Sequence, residues 1–270
     1  MNILFNEKLH KYYIENTDRV FTSVSKVLDT VKEKFASNDD ELFEKAVEYF
    51  KKYKDNPKKP KKWDNSWQSG LDVFNGWKEK NRIITKRGTI YHALREEELI
   101  KDGAIIHNHT KNGEKVCFSM KELQNLKPGI YPELIIPNIN TLTIGTADYI
   151  EIFEDKSFII RDLKTNDDLE VEPVKFYNKD LGYKDYKYLH PPVEHIISTK
   201  FNVYQLQLSM YSLFLEKLGY KFKGGFIEHV IFNDQDEVIE TRDYPIVYYR
   251  QECIAILNYF RAYHQSSIKV

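Results

Sequence analysis

Three charged residues, Asp148, Asp162 and Lys164, have types and a spacing that could build a metal site. They lie in two stretches, 143–153 and 157–164, whose alternation of apolar and polar residues is typical of a β-hairpin. If the turn centres on Asp155, then Asp148 faces Asp162, and directly opposed Cβ atoms lie about 4.5–5.5 Å apart. Side chains alternate between the faces of a strand, so Lys164 points to the same side as Asp162. The pattern therefore predicts two carboxylates and one ammonium group in one place.

A divalent cation is the simplest partner for these two carboxylates. Like charges held side by side destabilise a hairpin unless something neutralises them. Carboxylate oxygens, completed by water molecules, are the ligands that Mg²⁺ prefers. The alternative is an ordinary ion pair between Asp148 and Lys164 at a strand end, which needs no metal. The hairpin alone leaves both interpretations open.

The hairpin belongs to a run of elements that would position it. In chain order, the sequence predicts a helix at about 88–101, a strand at 133–136, the hairpin, a helix at 203–218 and a strand at 226–232. This order, αβββαβ, predicts an α/β protein with a mixed central sheet flanked by helices.

The flanks of this run are predicted to be mainly helical. Residues 1–86 are expected to form a mostly helical N-terminal layer, and residues 87–270 a core that ends in a C-terminal helix, the two forming one compact unit. Separate helices are expected at 41–53 and 71–80.

Polar residues mark the predicted ends of several helices. Ser23 is expected to cap a helix that begins at Val24, Asp39 or Asp40 to cap the helix at 41–53, and Asn202 to cap the helix at 203–218. Gly219 is expected to end that last helix, because glycine readily adopts a left-handed conformation.

A lysine-rich segment, residues 51–62, follows the predicted helix at 41–53. Such a run is usually a solvated linker or helix end. It could also contact phosphate groups, in which case Lys58, Lys59, Lys61 and Lys62 are the candidate DNA-binding residues.

Composition excludes several classes of protein. The 270 residues contain 40 basic and 41 acidic side chains, so the chain is not a globally basic nucleic-acid binder, although a local basic groove is still possible. No apolar run approaches the roughly 20 residues of a transmembrane helix, and the N-terminus lacks a signal-peptide core. Cys117 and Cys253 cannot build a disulfide framework or a four-cysteine metal site. These features predict a cytoplasmic protein that does not bind membranes.

Four motifs in the expected order resemble those of a known superfamily. Asp148, followed after 13 residues by Asp162-Leu163-Lys164, resembles the Asp…(Asp/Glu)-x-Lys signature of the PD-(D/E)xK nucleases. Gly145 three residues before Asp148 resembles the Gly-x-x-Asp of the RecB-like branch. The other motifs resemble its histidine motif, ending at His92, and its Gln-x-x-x-Tyr motif, Gln207 to Tyr211.

The resemblance implies a restriction-endonuclease-like αβββαβ core and a Mg²⁺ or Mn²⁺ cofactor. By the same resemblance, Asp148, Asp162 and His92 are metal ligands. Glu96, one helical turn after His92, is a further candidate, although it also belongs to an acidic run. Two cysteines cannot hold the iron–sulfur cluster of some relatives, so the chain resembles the cluster-free members.

The remaining site residues also follow from the resemblance. Lys164 would orient or deprotonate the attacking water, or offset phosphate charge. Glu133, on the strand before the hairpin, matches an extra acid of many relatives, or is a plain strand-end carboxylate. Gln207 and Tyr211 would contact the lysine region or DNA, or simply pack as part of an amphipathic helix.

The function implied is a metal-dependent DNA exonuclease in phage-type recombination, repair or replication. Its partners would be single-stranded DNA or duplex ends, with a single-strand-binding or recombination protein as a further possible partner. Two alternatives stay open: a nuclease-fold DNA-binding or scaffold protein without activity, and a structure- or site-specific endonuclease.

Overall fold

A computed structural model describes residues 2–6, 11–60, 62–106, 109–111, 114–178, 182–233 and 235–263. The strands, in chain order, are β1 (Ile3–Asn6), β2 (Lys11–Ile14), β3 (Thr22–Ser23), β4 (His109–Lys111), β5 (Glu114–Val116), β6 (Gly129–Asn138), β7 (Thr143–Ile152), β8 (Ser157–Lys164), β9 (Phe176–Asn178), β10 (Tyr183–Asp185), β11 (Lys221–Phe232) and β12 (Val238–Pro245). The helices are α1 (Val24–Leu28), α2 (Asp39–Tyr53), α3 (Gly70–Lys101), α4 (Met120–Leu123), α5 (Lys200–Lys217) and α6 (Arg250–Tyr263).

The chain divides into two compact units rather than the expected single one. One unit comprises residues 1–32 and 91–270, and the other residues 33–90. Residues 1–32 therefore group with the core and not with a helical N-terminal layer. The physical reason is strand pairing, because β1 pairs with β5 and β3 pairs with β7, both far along the chain.

The larger unit contains the mixed central sheet that the sequence predicts. Its strand order is β12-β11-β8-β7-β3, with β6 also paired to β7. The pairs β8–β11 and β3–β7 are parallel, and the others are antiparallel. The two parallel strands β8 and β11 are joined through α5, as parallel strands require a long crossover. The α/β class is thus confirmed.

The register of the predicted hairpin is confirmed. Tyr149 pairs with Arg161 and Ile152 with Phe158, which is the register obtained by centring the turn on Asp155. Strand β6 is longer than predicted and contains Pro132 and Pro137. Among the described strands, β6 pairs only with β7 and therefore lies at an edge of the sheet, where proline is tolerated because no second strand needs its N–H group.

Two of the predicted helix caps are wrong. Ser23 does cap α1, accepting a bond from the Lys26 N–H at 3.3 Å, and Gly219 does follow α5 with a φ of +100°. Helix α2, however, is capped by Asn38, and α5 by Thr199. In both cases the residue predicted as the cap lies inside the helix, because an oxygen a few residues earlier accepts the orphan N–H.

Helix α3 is one continuous helix of 32 residues where two were predicted. Its two internal glycines, Gly76 and Gly88, cost about 1 kcal/mol each relative to alanine, which is too little to end a helix. Gly76 has a packing reason, since a Cβ there would lie 3.0 Å from the Trp67 ring.

The main core lies on one face of the sheet, under α5 and α6. Ile150, Ile152, Phe158 and Ile160 of the hairpin are all buried there. They pack in one cluster with α5 side chains such as Phe214. This is the apolar part of the face whose far end carries Asp148 and Asp162, so the core packs against the same two strands that carry the site.

The smaller unit, residues 33–90, is rich in aromatic contacts. Trp63 stacks against Phe50 and Tyr49 at ring-centroid distances of 5.9 and 6.0 Å, and Trp77 meets Tyr49 edge-on at 5.3 Å.

The described part of the chain contains no helix long and apolar enough to cross a membrane.

Candidate metal centre

The central strands place three acidic residues in one row. The β6–β7 pairs Pro132–Tyr149 and Leu134–Ala147 flank a position at which Glu133 stands opposite Asp148. On the other edge of β7, continuing the register beyond Tyr149–Arg161 sets Asp148 opposite Asp162. Glu133, Asp148 and Asp162 therefore lie on three neighbouring strands at the same height.

The backbone is irregular at this row. Glu133 has a φ of +51°, a left-handed conformation that costs a non-glycine residue about 1–3 kcal/mol. Beside it, the Asp148 carboxylate accepts a hydrogen bond from the Leu163 N–H at 2.6 Å. A backbone donor of β8 is thus bonded by a side chain of β7, next to the end of the β7–β8 pairing. Such irregularities persist only where the surrounding structure enforces them, and they cluster at functional sites.

Helix α3 adds an imidazole to the row. His92 Nδ1 lies 3.5 Å from Asp148 Oδ1 and 3.9 Å from Glu133 Oε1. One ligand atom from each of His92, Glu133 and Asp148 lies within 4.8 Å of the other two. One nitrogen and two carboxylates suit a divalent cation such as Mn²⁺ or Mg²⁺, which completes its coordination with water.

Asp162 and Lys164 form an ion pair beside this cluster. Lys164 Nζ lies 2.5 Å from Asp162 Oδ2, and the two side chains are only 16% and 3% exposed. The ammonium also lies 4.6 Å from the centre of the Tyr204 ring, a cation–π distance. Asp162 thus faces Lys164 and stands outside the group of three close ligand residues.

The positive groups near Asp148 do not fully offset the burial of its carboxylate and the negative charges around it. Burial, and then the negative charge of Asp162, raise the pKa of Asp148 from 3.8 to about 7 although His92 and Lys164 oppose the rise. Burial disfavours the protonated imidazole of His92, but contact with Glu133 and the charge of Asp148 outweigh it and raise the His92 pKa. A cation at this place would relieve the repulsion, so the cluster fits the predicted metal.

Lys164 stays protonated in this environment. Burial lowers the pKa of its ammonium, but Asp162 and Asp148 outweigh burial and raise that pKa above its ordinary value. A lysine held in this way is a poor proton acceptor. It is suited to the last of its predicted roles, the stabilisation of phosphate charge.

Gln207 and Tyr211 make direct contact on α5, next to β7. Gln207 Nε2 donates to the Tyr211 hydroxyl at 2.7 Å. The Tyr211 ring lies so close to Gly145 that an added Cβ would be 1.9 Å from its Cε1 atom. The glycine three residues before Asp148 therefore allows the tyrosine to pack on the backbone of β7. Burial, with the charge of Asp162 second, raises the Tyr211 pKa.

The structure brings most of the predicted site residues together but not all. His92, Glu133 and Asp148 form the cluster, and Asp162 and Lys164 form the neighbouring pair. Gln207 and Tyr211 lie on α5, where Tyr211 packs against β7 at Gly145. Glu96 is half-buried on α3 and is not in the group of close ligand atoms. Lys58, Lys59 and Lys62 are exposed in the smaller unit, with Lys59 Nζ 4.8 Å from the Trp63 ring centre, and Lys61 is outside the described residues.

Several residues that lie next to the site were not predicted from the sequence. The Tyr204 hydroxyl donates to Asn166 Oδ1 at 2.9 Å, and His229 Nε2 lies 2.6 Å from the Asn166 carbonyl oxygen. Tyr12 and Thr146 hydroxyls are 3.1 Å apart. Tyr204 had a signal, because positions 204, 207 and 211 fall on one helical face. Tyr12 had none.

Comparisons with known proteins assign no family. No family model matches the chain, and no curated protein matches it. One solved structure, titled "Crystal structure of SSO0001", is similar over 88% of this chain and 82% of its own chain, at 13% sequence identity and a TM-score of 0.31. A similarity of that size carries no argument about function.

Proposed function

We propose that this protein is a metal-dependent nuclease that hydrolyses phosphodiester bonds in DNA. The observation that carries the proposal is the cluster of His92, Glu133 and Asp148, whose ligand atoms lie within 4.8 Å of one another beside the Asp162–Lys164 pair. Such a cluster combines a place for a hard cation with a fixed positive charge, and phosphodiester cleavage needs both.

The order of elements around the cluster supports a more specific fold. Helix α3 supplies His92, strands β6, β7 and β8 supply the acids and the lysine, and α5 and β11 follow. With the short elements between them set aside, this is the αβββαβ order of the restriction-endonuclease-like core. We therefore propose that the chain is a RecB-like member of the PD-(D/E)xK superfamily.

Each residue has a defined task in the proposed reaction. His92, Glu133 and Asp148 would hold the cation, which when bound activates water and stabilises the leaving oxygen. Asp162 keeps the ammonium of Lys164 charged and in place at 2.5 Å. Lys164 offsets the negative charge that develops on the phosphate. Tyr211, braced by Gln207, keeps β7 in position beneath the cluster.

The substrate and partners follow from the resemblance of the motifs. The Gln-x-x-x-Tyr motif favours an exonuclease that acts on single-stranded DNA or duplex ends, with Mg²⁺ or Mn²⁺, and with a recombination or single-strand-binding protein as a further partner. Lys58, Lys59 and Lys62 remain predicted phosphate contacts, which charge reversal would test.

The decisive experiment compares cleavage and metal binding in matched variants. End-labelled linear DNA, single- and double-stranded, is incubated with Mg²⁺, Mn²⁺ or EDTA beside Asp148→Asn, Lys164→Met and the control Glu96→Gln. We expect metal-dependent loss of label in the wild type and in Glu96→Gln only. Calorimetric titration with Mn²⁺ should show binding that Asp148→Asn and Glu133→Gln weaken and Glu96→Gln does not.

Other outcomes would replace the proposal. Cleavage of covalently closed circular DNA at one sequence would support a site-specific endonuclease. Retention of DNA in a gel shift, without cleavage and without Mn²⁺ binding, would support a DNA-binding scaffold and refute the nuclease.

A further inference from the structure

A small hairpin between β8 and α5 exposes an unusual set of side chains. The segment 174–188, called here the aromatic hairpin, is described except for residues 179–181 and contains β9 and β10, which pair with each other in their own two-stranded sheet. Five of its fifteen residues are Phe or Tyr, against 14% aromatic residues in the whole chain. Phe176, Tyr177 and Tyr183 are 54%, 63% and 55% exposed. These rings are therefore not part of a core.

Both faces of this hairpin combine a ring with a cation. The pairing of Phe176 with Asp185 and of Tyr183 with Asn178 places Phe176 and Tyr183 on one face. Tyr177 lies directly opposite Lys184 on the other face. Lys175 and Lys187 lie over the rings of Tyr186 and Phe176, at 4.9 and 5.9 Å from the ring centres.

The charge of the aromatic hairpin favours an anionic partner. Residues 174–188 contain four lysines and two aspartates, whereas the whole chain is slightly negative. Exposed rings with interleaved lysines match single-stranded nucleic acid, because bases stack on rings and ammonium groups contact the phosphates. A duplex would offer the phosphates but not the unstacked bases.

The hairpin is tied to the elements that build the metal centre. It begins ten positions after Lys164, a segment that spans at most about 36 Å. The base of the loop is fixed to the start of α5, where the Phe201 N–H donates to the Leu169 carbonyl at 2.9 Å and Lys200 pairs with Glu170 at 3.2 Å. One helical turn further on, Tyr204 lies against Lys164.

We propose that the aromatic hairpin is a base-stacking platform that binds single-stranded DNA beside the metal centre. The proposal rests on the proposed nuclease function and makes its substrate specific: a strand with unpaired bases, one stacked on Phe176 and Tyr183 and another on Tyr177 of the opposite face. The neighbouring lysines contact its phosphates.

The test measures binding separately from cleavage. Fluorescence anisotropy in EDTA follows a labelled oligothymidylate with the wild type, Phe176→Ala, Tyr177→Ala and Tyr183→Ala. Each variant should bind at least about 5-fold more weakly, which is the lower end of the effect of losing one stacked base. The matched control is Tyr263→Ala, which removes an equally exposed tyrosine (66%) from α6 and should leave the affinity unchanged.

An abasic oligonucleotide of the same length separates stacking from charge. The wild type should bind it more weakly than oligothymidylate, and the three ring variants should bind the two nearly alike. Equal affinity of the wild type for both would overturn the proposal. When an oligonucleotide containing 5-iodouracil is irradiated with the protein, it should crosslink to Tyr177 or Tyr183. Crosslinks confined to other parts of the chain would also overturn the proposal.

The outcomes distinguish this proposal from the nuclease proposal. If cleavage is absent but the ring variants lose oligonucleotide binding, the platform stands and the nuclease falls. If cleavage is present and the ring variants bind and degrade single strands as the wild type does, the nuclease stands and the platform falls. Binding of the hairpin to anionic vesicles or to a protein, with no loss of DNA binding in the variants, likewise refutes it.

Discussion

The carboxylate of Asp148 accepts a hydrogen bond from the backbone N–H of Leu163 at 2.6 Å. The residue therefore has two tasks, since it holds β8 against β7 beside the end of their ladder and faces His92 at 3.5 Å. The two tasks need different properties of the side chain. The first needs an oxygen that accepts a hydrogen bond, and the second needs a negative charge that binds a cation. Substitutions can separate them.

Asp148→Asn should weaken metal binding and keep the stability of the fold, whereas Asp148→Ala should weaken metal binding and also lower that stability. The asparagine amide oxygen can still accept the Leu163 N–H, but it carries no charge. Alanine leaves that N–H without its acceptor, so we expect it to be less stable than the asparagine variant by about 1 kcal/mol or more. Urea unfolding in EDTA checks this difference, and equal stability of the two variants would show that the hydrogen bond contributes nothing.

The contribution of Asp148 to the stability of the protein in EDTA should fall as the pH rises from about 4 to 7. The pKa of Asp148 is about 7 in the folded protein against 3.8 for the unfolded chain. Between these values the folded state binds a proton that the unfolded state does not, so its stability is greatest at the low end and is lost as the pH passes the folded pKa. The raised pKa of His92 acts in the same direction above its ordinary value.

The pH effect is checked by comparing wild type with Asp148→Asn over that range. The stability of the wild type relative to the asparagine variant should fall over this range, and the variant should be the more stable of the two above the folded pKa of Asp148. Because one pKa unit is worth about 1.4 kcal/mol, the difference should exceed about 1 kcal/mol. Added Mn²⁺ should stabilise the wild type at high pH and leave Asp148→Asn unchanged. Identical pH profiles in EDTA would contradict the raised pKa.

The hairpin at the centre was predictable because its information is local. Alternation along 143–164 fixes which side chains share a face, and a short turn fixes the register, so the proximity of Asp148 and Asp162 followed from arithmetic. The transition from an apolar to a charged end of that face is confirmed as well, since Ile150 and Ile160 are fully buried.

The rest of the site depends on contacts between distant parts of the chain. Nothing in the residues around His92 specifies that Glu133, rather than the nearer Glu96, joins it and Asp148 in one group. Likewise, residues 1–32 carry no local sign that β1 and β3 pair with strands more than a hundred positions later. The predicted caps of α2 and α5 were wrong for a different reason, because several nearby polar residues could serve as the cap of each helix.

Lys164→Met should be destabilising in a way that a second substitution corrects. The change leaves the Asp162 carboxylate, only 3% exposed, without the ammonium at 2.5 Å, and a buried unpaired charge costs about 3–5 kcal/mol. Adding Asp162→Asn removes that charge and should recover most of the loss, while DNA cleavage stays absent in both variants. A double-mutant cycle from denaturant unfolding measures the coupling, and additive effects would show that the pair is not a pair in solution.

Gly145→Ala should be strongly destabilising because of a single aromatic ring. Its Cβ would lie 1.9 Å from Tyr211 Cε1, so the ring or β7 must shift. The double variant Gly145→Ala with Tyr211→Leu should be more stable than the sum of the single effects predicts, since the smaller side chain leaves space. Gly182→Ala serves as the control for adding a methyl group, although its φ is +72°. Apart from its chain neighbours, no described residue has an atom within 4 Å of the Cβ that would be added there. If alanine at 145 costs no more than at 182, the close packing is refuted.

Glu133→Gly should change stability and metal binding in opposite directions. Glycine adopts a φ of +51° without steric cost, and the change also removes a negative charge from beside Asp148, so the fold in EDTA should gain up to about 1 kcal/mol. Mn²⁺ affinity should fall by at least about 10-fold, because one of two carboxylates near His92 is lost. Asp236→Gly is the matched control, since it relieves a φ of +60° in the turn between β11 and β12 and should leave Mn²⁺ binding unchanged. A loss of stability in Glu133→Gly would mean that the glutamate stabilises this row of acids in the absence of a cation, contrary to the repulsion inferred from the pKa of Asp148.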